Sequence, residues 1–316
     1  MRRFLLIPAL ILGCTCWVSQ SSAAEPETTA NEAEFIRVLR DDDNQPLHLE
    51  TATVRYLFNA GDEELIVDLI GVIHVADKGY YEDLNEQFEQ YDSVLYEMVK
   101  PDDVEVTDRR GKPSRNPIGM MQSMLPDMLD LSSQLSEVDY GAKNFVHADL
   151  SPQEMSEAIR KRGDNGTTVF LKIMLEVFGQ AMRQSQAQQQ GGGGVNQFDL
   201  LGLMSDSNAS IKMKRMMAEQ FSGMGQGAML GQTLETILIA DRNAAAMEVL
   251  GEQINDGTKN MAIFYGAAHM PDFDKRLLAM GFKRGETQWQ RAWDMSASSE
   301  TESETPLQGL LKLFSR

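Results

Sequence analysis

The chain has 316 residues, of which 29 are Lys or Arg, 47 are Asp or Glu, four are His and two are Cys. Its length and its 42% of hydrophobic residues are those of a globular protein with one large core or two small ones, which excludes a disordered chain. The formal net charge of -18 leaves no clustered positive charge for gripping phosphate backbones, so we expect no nucleic-acid partner.

Residues 1–24 have the pattern of an export signal. A basic start precedes the apolar run Phe4–Leu12, and small residues at 22–24 fit a signal-peptidase site. Cleavage after Ala24 would remove both cysteines and would give a periplasmic or secreted protein without thiol chemistry. The alternative is a lipid on Cys14, which would anchor the chain to a membrane.

Residues 51–295, after a polar lead over residues 25–50, are predicted to form one α/β domain. Its first part alternates strand and helix in the βαβ order that implies parallel strands with right-handed crossovers. In chain order, the predicted elements are a hairpin of strands Ala52–Ala60 and Glu64–Ile70, a helix over Tyr80–Gln90, a strand over Ser93–Val99, a helix over Asn116–Leu135, a strand over Lys143–Ala148 and a capped helix beginning at Ser151.

The second part of this domain begins with a Met-rich helical insertion at about residues 163–250, interrupted by the flexible linker Gln188–Gly194. A buried strand over Met261–Tyr265, a helix over Phe273–Met280 and an antiparallel strand or hairpin over Phe282–Met295 follow. The predicted class is therefore α/β, with a mixed, largely parallel sheet, flanking helices and a helical insertion.

The methionines of the predicted helices and the C-terminal tail each have two interpretations. Thioether clusters in exported proteins can bind Cu(I), but the helical spacing of these methionines favours adaptable packing or a soft groove for apolar peptides. Residues 296–316 read as an acidic linker and a short amphipathic helix, which would pack on its own domain or contact a membrane or partner.

Two of the four histidines lie in nearly the same local sequence. The segments Gly71–Asp77 (GVIHVAD) and Gly266–Asp272 (GAAHMPD) both read G-x-x-H-x-x-D, and each follows a hydrophobic strand and precedes a helix. In a parallel sheet such positions fall at the carboxyl ends of strands, where α/β proteins place ligands. We therefore expect His74 and His269 to line one crevice, although a structural role for each histidine is the alternative.

Glu97 lies near the end of the predicted strand Ser93–Val99, between apolar neighbours. Two imidazoles and one carboxylate suit a catalytic divalent metal such as Mn, Co or Zn, with a position left open for water. Glu97 would be either a metal ligand or the general base for that water. The structural alternative is a buried carboxylate bonded to a helix terminus.

Arg242 lies on a predicted helix that leads towards the second histidine motif. There it could hold a substrate carboxylate or stabilise an oxyanion, or it could pair with Asp241 or Glu248 on an exposed helix face. His147 and Asp149, at another strand end, could line the same crevice, but a structural role is favoured for both.

The paired G-x-x-H motifs, the strand-borne glutamate and the Asp-Arg-Asn sequence resemble the TraB/PrgY/GumN family, which includes the Tiki proteins, over about Thr51–Asp294. This resemblance implies an α/β fold related to erythromycin esterase and ChaN-like proteins. Tiki members are divalent-metal-dependent proteases, and PrgY and TraB limit peptide-pheromone activity. The resemblance implies that His74, Glu97 and His269 are metal or catalytic residues and that Arg242 matches the family's arginine.

The sequence thus predicts an exported, divalent-metal-dependent hydrolase, most simply a peptidase acting on a peptide or protein. The alternative hypothesis is a binding protein that sequesters a peptide or a haem-like ligand without turnover. Membrane contact is expected only through a lipid on Cys14 or through the C-terminal helix.

Overall fold

A computed structural model describes residues 33–61, 63–101, 129–163, 208–223 and 239–296. The predicted features outside these residues are the export signal with Cys14, most of the Asn116–Leu135 helix, the Gln188–Gly194 linker and the tail after residue 296.

The described residues form a mixed sheet with helices on both faces and a separate two-stranded ribbon. The strands are β1 (Ile36–Arg40), β2 (Pro46–Ala60), β3 (Glu63–Val72), β4 (Val75–Ala76), β5 (Ser93–Tyr96), β6 (Ser132–Ser133), β7 (Phe145–His147), β8 (Asn260–Gly266) and β9 (Lys283–Asp294). The helices are α1 (Lys78–Phe88), α2 (Gln134–Glu137), α3 (Pro152–Lys161), α4 (Ala209–Gly223), α5 (Asp241–Asn255) and α6 (Met270–Ala279).

The main sheet has the strand order β1-β2-β3-β8-β5-β7, and β9 also pairs with β2. Strands β3, β8, β5 and β7 are parallel to one another, whereas β1, β3 and β9 each pair with β2 antiparallel. The predicted class, α/β with a mixed, largely parallel sheet and flanking helices, is confirmed. One detail differs from the simplest βαβ arrangement, because β8 is inserted between β3 and β5.

The sequence locates most elements correctly but misses some of their bounds. Gly61, with a φ of 71°, makes the turn of the predicted β2–β3 hairpin. The sheet begins earlier than expected, because β1 and the start of β2 lie within the polar lead of residues 25–50. The predicted helix ending at Leu135 is wrong at Ser132–Ser133, which instead pair with β4 as a strand.

Both faces of the central strands are buried, so these strands read as continuous apolar runs. Along β8, Ala262 and Phe264 belong to one core cluster with α1 and α4, while Met261, Ile263 and Tyr265 belong to the cluster covered by α5 and α6. The alternation follows from the two-residue period of a strand. Because such a strand is packed on both faces, the positions of the residues at its end are fixed.

The described helices agree with the sequence where local signals are strong. Ser151 and Glu154 form the predicted capping box at the start of α3, with a proline inside the first turn. In α4, Met213, Met216 and Met217 pack against the core, which supports the packing interpretation for these three methionines. None of the helices in the described ranges is long and apolar enough to cross a membrane.

Candidate active site

The candidate site lies where the parallel strands β3, β8 and β5 end side by side. His74 follows β3, His269 follows β8 and Glu97 follows β5, so the insertion of β8 brings the three predicted residues to adjacent strand ends. They converge on Gly266. A Cβ atom at this glycine would lie 3.3 Å from Glu97 Oε2, 3.7 Å from His74 Nε2 and 3.8 Å from His269 Cδ2.

The two motifs are alike in sequence but differ in local structure. After Gly266 the chain makes a 3-10 turn over Ala267–His269 and runs directly into α6, whereas His74 is followed by the short strand β4. The aspartates that end the motifs anchor the surrounding elements. Asp77 accepts hydrogen bonds from Lys214 and from the Asp294 N–H. The repeated pattern therefore identifies two strand ends rather than two equivalent halves of a site.

His269 is buried, with 6% of its surface exposed, and its ring is held by Asn243. His269 Nδ1 lies 2.6 Å from Asn243 Oδ1, while Asn243 Nδ2 donates to the His269 carbonyl at 3.0 Å and to Asp272 Oδ2 at 2.9 Å. Both of these partners only accept, so the amide nitrogen must face them and Asn243 Oδ1 must accept from Nδ1–H. The unprotonated Nε2 then faces Glu97 Oε1 at 3.6 Å.

Burial lowers the pKa of His269 to about 4, and the opposing charge of Glu97 offsets only part of this effect. His269 is therefore neutral near pH 7. A neutral ring with Nδ1 protonated has a free lone pair on Nε2, which is the form that binds metal ions.

His74 is exposed, but its ring is also held by a side-chain amide. His74 Nδ1 lies 2.7 Å from Gln134 Oε1, and Gln134 Nε2 donates to the Tyr140 hydroxyl at 2.8 Å. The backbone N–H of Gln134 also donates to the His74 carbonyl at 2.9 Å. The β4–β6 ribbon brings Gln134 to this position, since β6 ends at the preceding residue. Both histidines thus have Nδ1 bonded to an amide oxygen, while His74 Nε2 lies near Gly266 and His269 Nε2 lies near Glu97 Oε1.

Glu97 is held through both carboxylate oxygens. Oε1 accepts from Arg242 Nη2 at 2.7 Å, and Oε2 accepts from the Gly266 N–H at 2.7 Å. Burial alone would raise the pKa of Glu97, but the charge that His269 carries at acidic pH, the Arg242 guanidinium and the Gly266 N–H together lower it below the ordinary value. Because Gly266 immediately precedes a 3-10 turn, the helix-terminus contact considered for this carboxylate is present, and it occurs inside the candidate site.

Arg242 is buried between two carboxylates. Its Nε and Nη2 donate to Asp149 Oδ1 at 2.9 Å and Oδ2 at 2.6 Å, and Nη2 also donates to Glu97. The exposed helix-face pairing does not occur, and Asp241 bonds to Arg162 instead. Two carboxylates and one guanidinium leave one negative charge uncompensated within this network, because the adjoining His269 is neutral.

The side chains of the candidate site include some that the sequence predicts and others that it does not. Asp149 belongs to the site network, whereas His147 bonds to the Met98 carbonyl at 2.7 Å and has a structural contact. Asn243 could have been found, because it directly follows Arg242 on the same helix. Gln134 carries no local signal, since its approach to His74 depends on a pairing distant in sequence.

The three predicted metal ligands do not form a closed cluster. Among the residues that the structure describes, no group of three or more His, Cys, Asp or Glu side chains is arranged to enclose a metal ion. Comparison of the chain with models of protein families, with curated proteins and with solved structures finds no match.

Proposed function

We propose that the chain is a divalent-metal-dependent hydrolase, most simply a peptidase, related to the TraB/PrgY/GumN family that its sequence resembles. His74 and His269 would hold the ion, and Glu97 would be a third ligand or the base for the attacking water. The observation that carries the proposal is the convergence of the two imidazole rings and the ionised Glu97 carboxylate at Gly266, where His74 Nε2 and His269 Cδ2 are the nearest ring atoms. Two nitrogens and one carboxylate oxygen suit Zn, Mn or Co.

The electrostatics of the site support a cation. The lone pair of His269 Nε2 and the ionised Glu97 Oε1 face each other across 3.6 Å, and both are acceptors. A positive ion or a donor between them would turn this repulsion into attraction. The uncompensated negative charge of the Asp149–Arg242–Glu97 network acts in the same direction. His74 can adjust to an ion because its side chain is exposed.

A bound divalent ion would supply Lewis acidity towards a carbonyl and would lower the pKa of water. The protein side chains have separate tasks. Glu97 stays ionised near pH 7 and can accept a proton from water. Arg242, fixed by Asp149, holds Glu97 Oε1 in place. These contacts support a positioning role for Arg242, and its predicted contact with a substrate carboxylate or oxyanion remains a prediction.

The proposal is tested by metal analysis of the purified chain together with digestion of an unbiased peptide library, read by mass spectrometry. We expect a bound divalent ion, defined cleavage products and a loss of cleavage of about 100-fold or more in Glu97→Gln. His74→Ala and His269→Ala should lose both the ion and the activity. The matched control is His48→Ala, which lies outside the site and should retain both. A chain that binds no ion and cleaves equally well as either histidine variant would refute the proposal.

A second candidate is a binding protein that sequesters a peptide or a haem-like ligand. It is favoured by the fact that both oxygens of Glu97 are already bonded, which restrains the group proposed as the base. It predicts stoichiometric capture of ligand that survives Glu97→Gln, with no product by mass spectrometry. Both proposed functions assume that the chain is exported to the periplasm or the medium. Membrane fractionation of a Cys14→Ala form tests whether a lipid anchors the chain.

A further inference from the structure

We propose that Gln134 and Asn243 are positioning residues that fix the tautomers of the two site histidines. Each carboxamide oxygen would hold one histidine in the Nδ1–H form, which leaves the Nε2 lone pair of each ring free. The inference rests on the proposed function for its purpose, but the tautomers themselves are a property of the metal-free chain.

The contact of Asn243 is determined by its other partners. Its amide nitrogen has two neighbours, the His269 carbonyl and Asp272 Oδ2, and neither can donate a hydrogen bond. Turning the amide over would place its oxygen against both and would cost two hydrogen bonds in a buried position. The Asn243 oxygen is therefore held towards His269 Nδ1 at 2.6 Å. Since this oxygen only accepts, the ring must carry its proton on Nδ1.

Gln134 also directs its amide oxygen to Nδ1 of a histidine, but the ring that it holds is exposed to water. Its oxygen faces His74 Nδ1, and its nitrogen donates to the Tyr140 hydroxyl. Gln134 is itself 4% exposed, whereas the ring that it holds is exposed. A neutral imidazole in water prefers the opposite tautomer, with the proton on Nε2, and that form cannot bind a metal through Nε2. Without Gln134, the exposed His74 ring should therefore revert to the form that is unsuited to the site.

The two neutral amides thus take the place of the carboxylate that often bonds the second ring nitrogen of a metal-binding histidine. A hydrogen bond to the distal ring nitrogen selects the tautomer and fixes the ring plane, and its loss typically weakens metal binding by about 10–100-fold. An amide adds no further negative charge to a site that already has an uncompensated carboxylate. This difference explains why a neutral acceptor suits both positions.

The test measures the ring nitrogens of ¹⁵N-histidine-labelled full-length chain by long-range ¹H–¹⁵N correlation, without metal and above pH 8. His74→Ala and His269→Ala assign the signals. We expect the Nδ1–H pattern for both rings in the unmodified chain. In Gln134→Met, which keeps the side-chain length without the acceptor, His74 should change to mainly Nε2–H while His269 does not change. Gln134→Glu keeps an acceptor and should restore the Nδ1–H pattern of His74.

Circular dichroism and a thermal melt establish that each variant is folded, and His269 serves as an internal reference within Gln134→Met. An Nε2–H pattern for either ring in the unmodified chain would overturn the inference, and so would an unchanged His74 in Gln134→Met. Titration with Zn²⁺ alone then separates the two proposals. Correct tautomers without Zn²⁺ binding would uphold the inference and refute the metal site, whereas Zn²⁺ binding with the opposite tautomers would do the reverse.

Discussion

Two regions of the sheet bury carboxylates beside arginines, but they balance the charge differently. On the β2 side, Asp68 accepts two hydrogen bonds from Arg55, at 3.0 and 2.9 Å, and a third from the Tyr91 hydroxyl at 2.8 Å. Asp274 has the same set of partners, an arginine and a tyrosine hydroxyl. In each case one carboxylate bonds to one guanidinium and one neutral donor, so the positive and negative charges balance.

At the ends of the parallel strands the pattern changes. Asp149 also accepts two hydrogen bonds from one arginine, Arg242, but a second carboxylate, Glu97, takes the place of the neutral donor. Tyr265 is nearby, but its hydroxyl donates to the Ala148 carbonyl instead. An extra buried charge is costly unless it is compensated. The first region is therefore balanced without a ligand, and the uncompensated charge of the second fits the proposal that it takes a positive ligand.

The largest expected effect comes from removing each arginine. Arg242→Met leaves two buried carboxylates together and should lower the free energy of unfolding by about 3–5 kcal/mol. Arg55→Met leaves one carboxylate, which Tyr91 still contacts, and the Arg55 side chain is 42% exposed. Its loss should be smaller, at about 1–3 kcal/mol. Urea denaturation measures both.

A second change isolates the charge in Arg242→Met. Adding Asp149→Asn to that variant removes one of the two carboxylates that have lost their arginine, and it should recover part of the lost stability. Equal losses for Arg242→Met and Arg55→Met, with no recovery in the double variant, would remove the electrostatic distinction between the two regions.

The neutral state of His269 gives a pH dependence. Its pKa is about 4 in the folded chain against an ordinary value of 6.5, so the unfolded chain binds this proton more readily between those values. Stability from this group is complete above pH 6.5 and falls as the pH drops towards 4, by about 3 kcal/mol in total. Urea denaturation from pH 7 to pH 4.5 measures the loss.

The matched control is His269→Asn, in which this slope should be absent while the contributions of other groups remain. Glu97 does not confuse the measurement, because its pKa is lowered in the folded chain, so its contribution to stability is lost mainly below the ordinary value of 4.5, where the measurement ends. Identical slopes in the two proteins would show that His269 has a normal pKa.

Metal binding should stabilise the chain only through His269 and the Asp149–Arg242–Glu97 network. Zn²⁺, Mn²⁺ or Co²⁺ at about 100 times its Kd should raise the free energy of unfolding by about 2.7 kcal/mol. Thermal melts with and without the ion measure this, and His269→Ala should show no increase. An equal increase in His269→Ala would place the ion elsewhere in the molecule.

The sequence predicted the strand ends better than it predicted the contacts between them. His74, His269 and Glu97 were identified from short local patterns, because a hydrophobic strand followed by a polar residue is a local signal. The insertion of β8 between β3 and β5 is not local, and it is the feature that brings the three residues together.

The supporting residues could be predicted only in part. Asn243 follows Arg242 in the first turn of one helix, and both contact residues at the ends of the strands because that turn lies there. Gln134 begins the short helix α2, but the pairing of Ser132–Ser133 with β4 overrides the predicted helix just before it and sets where Gln134 lies. Asp149 was identified as a possible neighbour, but its two hydrogen bonds to Arg242 depend on the arrangement of a helix and a strand that are distant in sequence.

The smallest expected effects come from single tyrosine hydroxyls, and they test the comparison most closely. Tyr91→Phe removes one donor from the charge-balanced network of Asp68 and should cost about 1–2 kcal/mol of stability without changing metal affinity. Tyr265→Phe removes the hydroxyl that holds the Ala148 carbonyl, next to Asp149, and should also cost about 1 kcal/mol. Only Tyr265→Phe should weaken metal binding, because movement of Asp149 loosens Arg242 and then Glu97. Calorimetric titration of both variants with Zn²⁺ decides the matter, since equal weakening would mean that the two regions are coupled rather than distinct.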